Sequence, residues 1–257
     1  MKNWLRSDHV IEEKIYINKI PAILFRPVKG QGLYPTIIFY HGWSSNKENQ
    51  RFRAFILATL GYQVIIPDAI NHGERGPIDY ESTENMERYF WDTIFSNIDE
   101  SKEIIEGLAC KWGADSNRIG VVGNSMGGFT AAGVFTHNSN IRVLVVFNGS
   151  CGWEYSNEYF KKTFKIKVDR GLKSIEDKVK KLDPMNNLDI LKNRPILMLH
   201  GDNDNMVSIE SQRLFYEKIK PLYRDKNKIQ LIEYSNLDHF VTTNMMEECI
   251  NWFYSHL

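Results

Sequence analysis

The chain of 257 residues has little of several features that mark whole classes of protein. It has no net charge, since 32 lysines and arginines balance 32 aspartates and glutamates, which argues against nucleic acid or an anionic membrane as a partner. Its three cysteines, Cys110, Cys151 and Cys249, are odd in number and widely spaced, which argues against a disulfide framework and a CxxC metal site. No group of His, Asp and Glu has metal-ligand spacing, so we predict no metal and no cofactor.

Long hydrophobic runs are missing too. No apolar run approaches the roughly 20 residues of a membrane helix, and residues 1–17 lack the basic-then-apolar order of a signal peptide. We therefore expect a soluble, cytoplasmic protein whose partner is a small molecule. Because 42% of the residues are hydrophobic and 12% are aromatic, the chain can bury a sizeable core, and its length favours a single domain over residues 1–257.

The order of apolar and polar segments predicts an α/β fold. Residues 10–17 and 20–27 are β-rich runs around Asn18-Lys19, typical of an antiparallel hairpin. Six later runs are continuously apolar, as in parallel strands that are buried on both faces. Helical segments at 48–60, 87–112, 126–137, 209–220 and 241–256 separate them, which predicts a mostly parallel, twisted sheet of about eight strands with helices on both faces. The six apolar runs are TIIFY, YQVIIP, RIGVV, IRVLVVF, RPILMLH and KIQLIEY.

Residues 150–193 interrupt this alternation and predict a small helical cap. Within residues 161–181 there are nine lysines and arginines against three aspartates and glutamates, a local excess of six positive charges. A solvated helical insertion is one interpretation. A lid over a pocket, with lysines that favour an anionic substrate, is the other.

A serine lies between two glycines at a predicted strand-to-helix turn. The stretch Gly123-Asn124-Ser125-Met126-Gly127 matches G-x-S-x-G, with RIGVV before it and MGGFTAAGVF after it. Such a turn exposes the serine hydroxyl above the sheet, and the helix that follows directs N–H groups, including that of Met126, toward an anion formed there. The alternative is a glycine-rich turn with an incidental helix-capping serine.

A serine needs a base, and the base needs a partner that orients it. The run RPILMLH ends at His200, and Asp202 and Asp204 follow it in a polar turn. His239 comes after the strand KIQLIEY and before the last helix. The resulting chain order of Ser, Asp and His is the one that a nucleophile elbow on this kind of sheet requires.

These motifs together resemble the α/β-hydrolase superfamily, and within it the small bacterial carboxylesterases of the dienelactone-hydrolase-like and prolyl-oligopeptidase-like branch. The resemblance extends from about Tyr34 to the C-terminus. It rests on the segments YPTIIFYHGWSSNKE, PDAINHGERG (with Asp68, His72 and Gly73 in the family's Asp…His-Gly pattern), GNSMGG, HGDNDNMVS and LDHF.

The resemblance implies a role for each site residue. Ser125 corresponds to the nucleophile, Asp204 rather than Asp202 to the acid, and His239 to the base. The backbone N–H groups of Trp43 and Met126 correspond to the oxyanion hole. The expected reaction is hydrolysis of small, short-acyl carboxylic esters through an acyl-serine intermediate; an acyltransferase, a thioesterase and a non-catalytic binding module are the alternatives.

Three departures limit what the resemblance implies. Dienelactone hydrolases proper use a cysteine nucleophile where this chain has Ser125, so their activity is not implied. Prolyl oligopeptidases carry a propeller domain for which 257 residues leave no room. Ser208 stands where the family often has a proline after the acid motif.

Four further residues are candidates for the substrate pocket. His72 follows the loop motif, and Cys151, Trp153 and Tyr155 open the cap insertion. Each has a plainer alternative: a hydrogen bond within its own loop for His72, and ordinary core packing for the other three. We expect His41 and His200, which both end apolar strands, to be packed and hydrogen-bonded beneath the site.

Overall fold

The computed structural model describes residues 7–28, 32–164 and 170–257, which form eight strands and eight α-helices. The strands are β1 (Val10–Ile17), β2 (Ile20–Pro27), β3 (Tyr34–Tyr40), β4 (Gln63–Pro67), β5 (Ala114–Asn124), β6 (Ile141–Phe147), β7 (Ile196–Gly201) and β8 (Ile229–Tyr234). The helices are α1 (Arg51–Thr59), α2 (Thr83–Trp112), α3 (Met126–His137), α4 (Trp153–Thr163), α5 (Arg170–Leu182), α6 (Leu188–Leu191), α7 (Glu210–Ile219) and α8 (Thr243–His256).

All eight strands belong to one sheet in the order β1-β2-β4-β3-β5-β6-β7-β8. The first two strands form the predicted hairpin, and β2 also runs antiparallel to β4. Every later pairing, from β4/β3 through β7/β8, is parallel. The prediction of a mostly parallel sheet with an N-terminal antiparallel hairpin is therefore confirmed, and the carboxyl ends of β3 to β8 meet at one edge.

Both faces of this sheet are covered, as the continuous apolar runs predict. Alternate strand residues point to opposite faces: Ile38 packs in the cluster with α2, α3 and α7, whereas Ile37 and Phe39 pack in the cluster with α1 and α8. All three side chains are fully buried. Two helical layers thus hold the sheet rigid behind the edge that carries the candidate site.

The two largest differences from the predicted helix boundaries, at the starts of α2 and α1, follow from local capping. Helix α2 begins four residues early, where the Ser82 hydroxyl accepts a hydrogen bond from the Asn85 N–H, and it ends at Gly113 in the left-handed region (φ 68°). Helix α1 begins late, because Lys47–Gln50 forms a 3₁₀ turn that the Asn46 side chain caps.

The predicted cap contains α4, α5 and α6, between β6 and β7. Part of the basic stretch 161–181 lies outside the described residues. Of its described lysines, Lys161 is paired with Glu158 and Glu176, and Lys178 lies 4.5 Å from the centre of the Phe95 ring. Lys173, Lys180 and Lys181 are exposed, as in a solvated helical face.

No helix in the described part of the chain is both long enough and apolar enough to cross a membrane.

Candidate active site

Ser125 occupies a strained turn between β5 and α3. Its backbone has φ 57° and ψ −125°, a combination that non-glycine residues rarely adopt and that costs about 1–3 kcal/mol. The Ser125 N–H donates to the Phe147 carbonyl at the end of β6, 2.9 Å away, and its own carbonyl accepts the Gly128 N–H at 2.7 Å. The strain is thus held by hydrogen bonds from both sides, and the side chain is half-buried at the carboxyl edge of the sheet.

The glycines of the G-x-S-x-G motif are required by close backbone contact. A Cβ atom on Gly123 would lie 1.9 Å from the Gly127 carbonyl oxygen, and one on Gly127 would lie 2.1 Å from the Tyr40 carbonyl oxygen. The backbones of β3, β5 and α3 therefore meet here without room for any side chain. This contact fixes the start of α3, which begins at Met126 directly after Ser125.

The loop after β3 lies directly against the serine. A Cβ on Gly42 would be 3.3 Å from the Ser125 Cβ. His41 fixes this loop, because its Nε2 accepts the Ala69 N–H at 3.1 Å and its Nδ1 donates to the Gly42 carbonyl at 2.9 Å. Complete burial lowers the pKa of His41 to about 4, so the ring is neutral near pH 7. The packed, hydrogen-bonded role expected for His41 is what its contacts describe, and they hold the next loop residue, Trp43, beside the serine.

Asp204 and His239 are in direct contact, although 35 residues separate them. His239 Nδ1 lies 2.7 Å from Asp204 Oδ2. The Met206 and Val207 N–H groups donate to Asp204 Oδ1, each at 2.9 Å. Burial opposes ionisation of this carboxyl, but hydrogen bonds from His200 and His239 hold the pKa of Asp204 well below its usual range. Asp204 is therefore an anion that faces the imidazole of His239.

The turn of Ser125 and the loop that carries His239 form hydrogen bonds with consecutive residues at the end of β6. Phe147 holds the Ser125 N–H, and Asn148 donates from Nδ2 to the Phe240 carbonyl at 2.8 Å. Asn148 Oδ1 also accepts the Gly201 N–H at 3.2 Å, at the start of the turn that carries Asp204. Asn148 thus joins the loop that carries Asp204 to the loop that carries His239, one residue after the Phe147 carbonyl that binds Ser125.

Asp202 takes no part in this contact. Its Oδ1 accepts the Asn236 N–H at 2.7 Å on the exposed side of the turn. Asp238, next to His239, accepts the Asn205 N–H at 3.2 Å and the Asn205 side-chain amide at 3.0 Å. These carboxylates brace the two loops, and the one that faces the imidazole is that of Asp204.

A buried ion pair supports the loop after β4. Asp68, which is fully buried, accepts from the Lys47 backbone N–H at 2.9 Å and from Lys47 Nζ at 2.5 Å. Lys47 Nζ also lies 2.8 Å from Glu74. Gly73 has φ 52°, and a Cβ there would lie 2.2 Å from Asp68 Oδ2, which explains why Gly73 follows His72 in this loop.

Aromatic rings fill the space beside Trp43. The His72 ring stacks on Tyr80 with 4.9 Å between centroids, and it meets the Trp43 ring edge-on at 5.2 Å. His72 is fully buried, its Nδ1 donates to the Ile70 carbonyl at 2.7 Å, and burial lowers its pKa. The hydrogen bond within its own loop is thus present, and His72 contacts the site through Trp43.

Of the other pocket candidates, Cys151 and Trp153 offer no surface to a ligand, whereas Tyr155 is exposed. Cys151 and Trp153 are fully buried; the Trp153 indole N–H donates to the Ser150 carbonyl at 3.1 Å, and burial raises the pKa of the Cys151 thiol. Tyr155 is 37% exposed at the start of α4. Packing of the cap, the plainer alternative, describes the first two residues.

Several supporting residues escape prediction from the sequence. Lys47 lies in the segment YPTIIFYHGWSSNKE, but nothing in it predicts a buried ion pair; Asn148 carries no motif, and Tyr80 lies in a segment without periodic pattern. His200 is the exception, because its position four residues before Asp204 places both at one strand end. Its Nε2 lies 3.1 Å from Asp204 Oδ2. In the described part of the chain, no cluster of three or more His, Cys, Asp or Glu side chains could hold a metal ion.

A parallel sheet in this order, with a strained serine turn after β5, is the α/β-hydrolase fold, and the chain is a serine hydrolase of that fold. It belongs to the prolyl oligopeptidase family, whose sequence profile matches residues 48–255. It is 31% identical over 234 residues to "Putative esterase YitV" of Bacillus subtilis (strain 168), covering 87% of this chain and 89% of that protein. It is 25% identical over 229 residues to "Esterase YjfP" of Escherichia coli (strain K12), with the same coverage. The structure of TT1662 from Thermus thermophilus shares the fold, with a TM-score of 0.74 at 19% identity over 96% of this chain and 97% of that one.

Alanine substitutions at two glycines of the loop after β4 test the close contact between Gly73 and Asp68. Gly73 and Gly76 both have positive φ, 52° and 77°, but a Cβ on Gly76 would meet no atom within 4 Å. We expect Gly76→Ala to lower the free energy of unfolding by about 1–2 kcal/mol through backbone strain, and Gly73→Ala to lower it by about 1–3 kcal/mol more through the clash. Urea denaturation measures both, and equal losses would contradict the contact.

Burial of His41 predicts a loss of stability in mild acid. Because its folded pKa of about 4 lies below the unfolded value of 6.5, the unfolded chain binds more protons between these pH values, so stability falls as pH falls through this window. Each such group contributes up to about 1.4 kcal/mol per pH unit. The free energy of unfolding of His41→Gln should therefore depend less steeply on pH.

The matched control for this measurement is Leu57→Ala, which opens a fully buried site on α1 without changing a titratable group. We expect it to be less stable at every pH and to keep the wild-type slope. A His41→Gln slope that equals the wild-type slope would show that His41 is not neutral in the fold.

Proposed function

We propose that this protein is a serine carboxylesterase that hydrolyses small, short-acyl carboxylic esters. Ser125 is the nucleophile, His239 is the general base and acid, and Asp204 orients the imidazole. The observation that carries the proposal is the 2.7 Å contact of His239 Nδ1 with Asp204 Oδ2, on loops that Asn148 fastens beside the strained Ser125 turn.

The first half of the reaction forms the acyl-enzyme. Asp204 keeps the proton of His239 on Nδ1, which leaves Nε2 free to take the proton of Ser125 as the hydroxyl attacks the ester carbonyl. The imidazolium then donates this proton to the departing alcohol. In the second half, His239 activates water, which attacks the acyl-serine and releases the acid.

The tetrahedral intermediates carry a negative oxygen that two backbone N–H groups stabilise, those of Trp43 and Met126. The contact of Gly42 with Ser125 and the position of Met126 as first residue of α3 support this assignment. One such donor typically contributes about 3–4 kcal/mol to the transition state. Because both donors are backbone groups, substitution of the side chains leaves them in place.

Ester hydrolysis is favoured over peptide hydrolysis by the relatives. Two proteins that the chain matches over 89% of their lengths carry the name esterase, so they have nearly the same extent as this chain. The space next to the proposed oxyanion hole is filled by aromatic rings, those of Trp43, His72, Tyr80 and Phe90. This filled space favours an ester with a small acyl group. Beyond Phe90 lies a narrow crevice toward the cap.

A reducing compartment such as the cytoplasm suits the cysteines. Cys110, Cys151 and Cys249 are free thiols, and the last two are buried in the core. The uncharged composition of the chain likewise suits a small-molecule ester as its partner.

Removal of the nucleophile is the first test. Ser125→Ala should lower kcat for a p-nitrophenyl ester by about 10⁴-fold or more, because no other group can form the acyl-enzyme. It should also abolish labelling by a fluorophosphonate probe. Ser139→Ala, at an exposed serine after α3, should keep both activities. Retained hydrolysis in purified, folded Ser125→Ala protein would rule out the assignment.

The two aspartates of the turn after β7 provide a matched pair. Asp204→Asn should lower kcat by about 10⁴-fold, because an amide that donates to His239 stabilises the wrong tautomer of the imidazole. Asp202→Asn alters only the exposed bond to Asn236, so kcat should stay within a few-fold of the wild-type value. Steady-state kinetics of the two variants measures this difference, and the reverse ranking would transfer the acid to Asp202.

A further inference from the structure

A second histidine contacts the proposed catalytic acid. His200, the fifth residue of β7, is fully buried, and its Nε2 lies 3.1 Å from Asp204 Oδ2, the oxygen that also faces His239. The same Nε2 lies 2.9 Å from the Val207 carbonyl. Val207 in turn donates its N–H to Asp204 Oδ1, so His200 and Asp204 are linked through Val207 as well as by the direct 3.1 Å contact.

With His200, four N–H groups surround the carboxylate of Asp204. Oδ1 accepts two backbone N–H groups, from Met206 and Val207, and Oδ2 faces two imidazole nitrogens, from His200 and His239. A carboxylate offers about four lone-pair sites; three of those on Asp204 have hydrogen-bond partners, and the His200 Nε2–H group, which it shares with the Val207 carbonyl, lies against the fourth. The carboxylate cannot rotate away from His239 without losing the bond to His200.

The surroundings of His200 fix which nitrogen carries its proton. Both atoms near Nε2 are acceptors, the Val207 carbonyl and Asp204 Oδ2, so Nε2 is the protonated nitrogen. Nδ1 is buried without a hydrogen-bond partner in the described part of the chain. A proton on Nδ1 would therefore be a buried, unsatisfied donor, which is costly.

We propose that His200 is a positioning residue for the reaction: its Nε2–H group, 3.1 Å from Asp204 Oδ2, keeps this oxygen toward His239 and stabilises part of its negative charge. This inference rests on the proposed function, because it assigns a role only if Asp204 and His239 act on Ser125. His200 acts through Asp204 and does not touch the reacting atoms.

Other charged groups near the pair have their own partners. Asp238 is bound to Asn205 and to the His239 N–H, and Asp202 is bound to the Asn236 N–H. Glu233, which lies opposite His200 on β8, is paired with Arg213 of α7. The bond to His200 is therefore the contact on Oδ2 that a substitution can remove while these pairs stay in place.

The test compares two substitutions at one position. His200→Leu removes the donor, whereas His200→Gln carries an amide nitrogen the same number of bonds from Cα as Nε2. In His200→Leu the uncompensated Asp204 holds a proton on His239 more tightly. We expect the acidic midpoint of the kcat/KM profile to rise by about half to one pH unit, the size of one hydrogen bond, and kcat to fall about ten-fold with little change in KM. His200→Gln should restore most of both.

A control separates this effect from loss of stability. Leu199→Ala opens a fully buried site on the same strand without touching Asp204, so it should be less stable and keep the wild-type acidic midpoint. Rates are normalised to the fraction that a fluorophosphonate probe labels. If both His200 variants keep the wild-type midpoint, the proposal is wrong even if both are unstable. If wild-type protein shows no hydrolysis that depends on Ser125, the proposed function fails instead.

A measurement on the wild-type protein applies even if the variants do not fold. With ¹⁵N-labelled histidine, NMR chemical shifts report which imidazole nitrogen is protonated. We expect a histidine with protonated Nε2 and bare Nδ1, whose Nε2–H is protected from exchange with water. Assignment of His200 to the Nδ1–H tautomer would remove the donor and overturn the proposal.

Discussion

The site depends on one place where three backbones meet without side chains between them. Gly123 at the end of β5, Gly127 in α3 and the carbonyl of Tyr40 at the end of β3 are so close that any Cβ would overlap a carbonyl oxygen. Because the chain must turn from strand to helix in this space, Ser125 is driven to positive φ and its side chain to the edge of the sheet. The same contact brings the Gly42 loop against Ser125, so a single packing constraint sets the proposed nucleophile and the proposed oxyanion donors.

The parallel strands place the loops of His41, Asp204 and His239 at that edge. Hydrogen bonds between neighbouring loops then fix the positions of these residues. His41 after β3 reaches the loop after β4 through the Ala69 N–H, and Asn148 after β6 reaches the loops after β7 and β8. Each bond joins loops that follow adjacent or nearby strands. These bonds are buried or partly buried, so loss of one leaves a polar group without a partner. The bonds therefore stabilise the relative positions of the loops.

The sequence was informative where local chemistry decides the structure. Continuous apolar runs predict the parallel strands, and the glycines around Ser125 predict the turn, because these features depend on residues close along the chain. Lys47 shows where such reasoning ends: a lysine is normally exposed, and its burial on Asp68 follows only from the meeting of two loops. Trp153 and Cys151 likewise look like pocket residues in sequence, yet both side chains are fully buried, because the direction of a side chain depends on the packing of the folded chain.

Burial also separates the histidines of this edge by chemical role. His41 and His72 are almost completely enclosed, and burial lowers the pKa of both, so they serve as neutral hydrogen-bonding groups. The His239 side chain is 21% exposed and has a carboxylate on Nδ1, so a positive charge on its ring is met by water and by Asp204. A base that must gain and lose a proton in each cycle needs both conditions. The fold thus buries His41 and His72 and leaves His239 partly solvated, which suits the proposed role of His239 as the base.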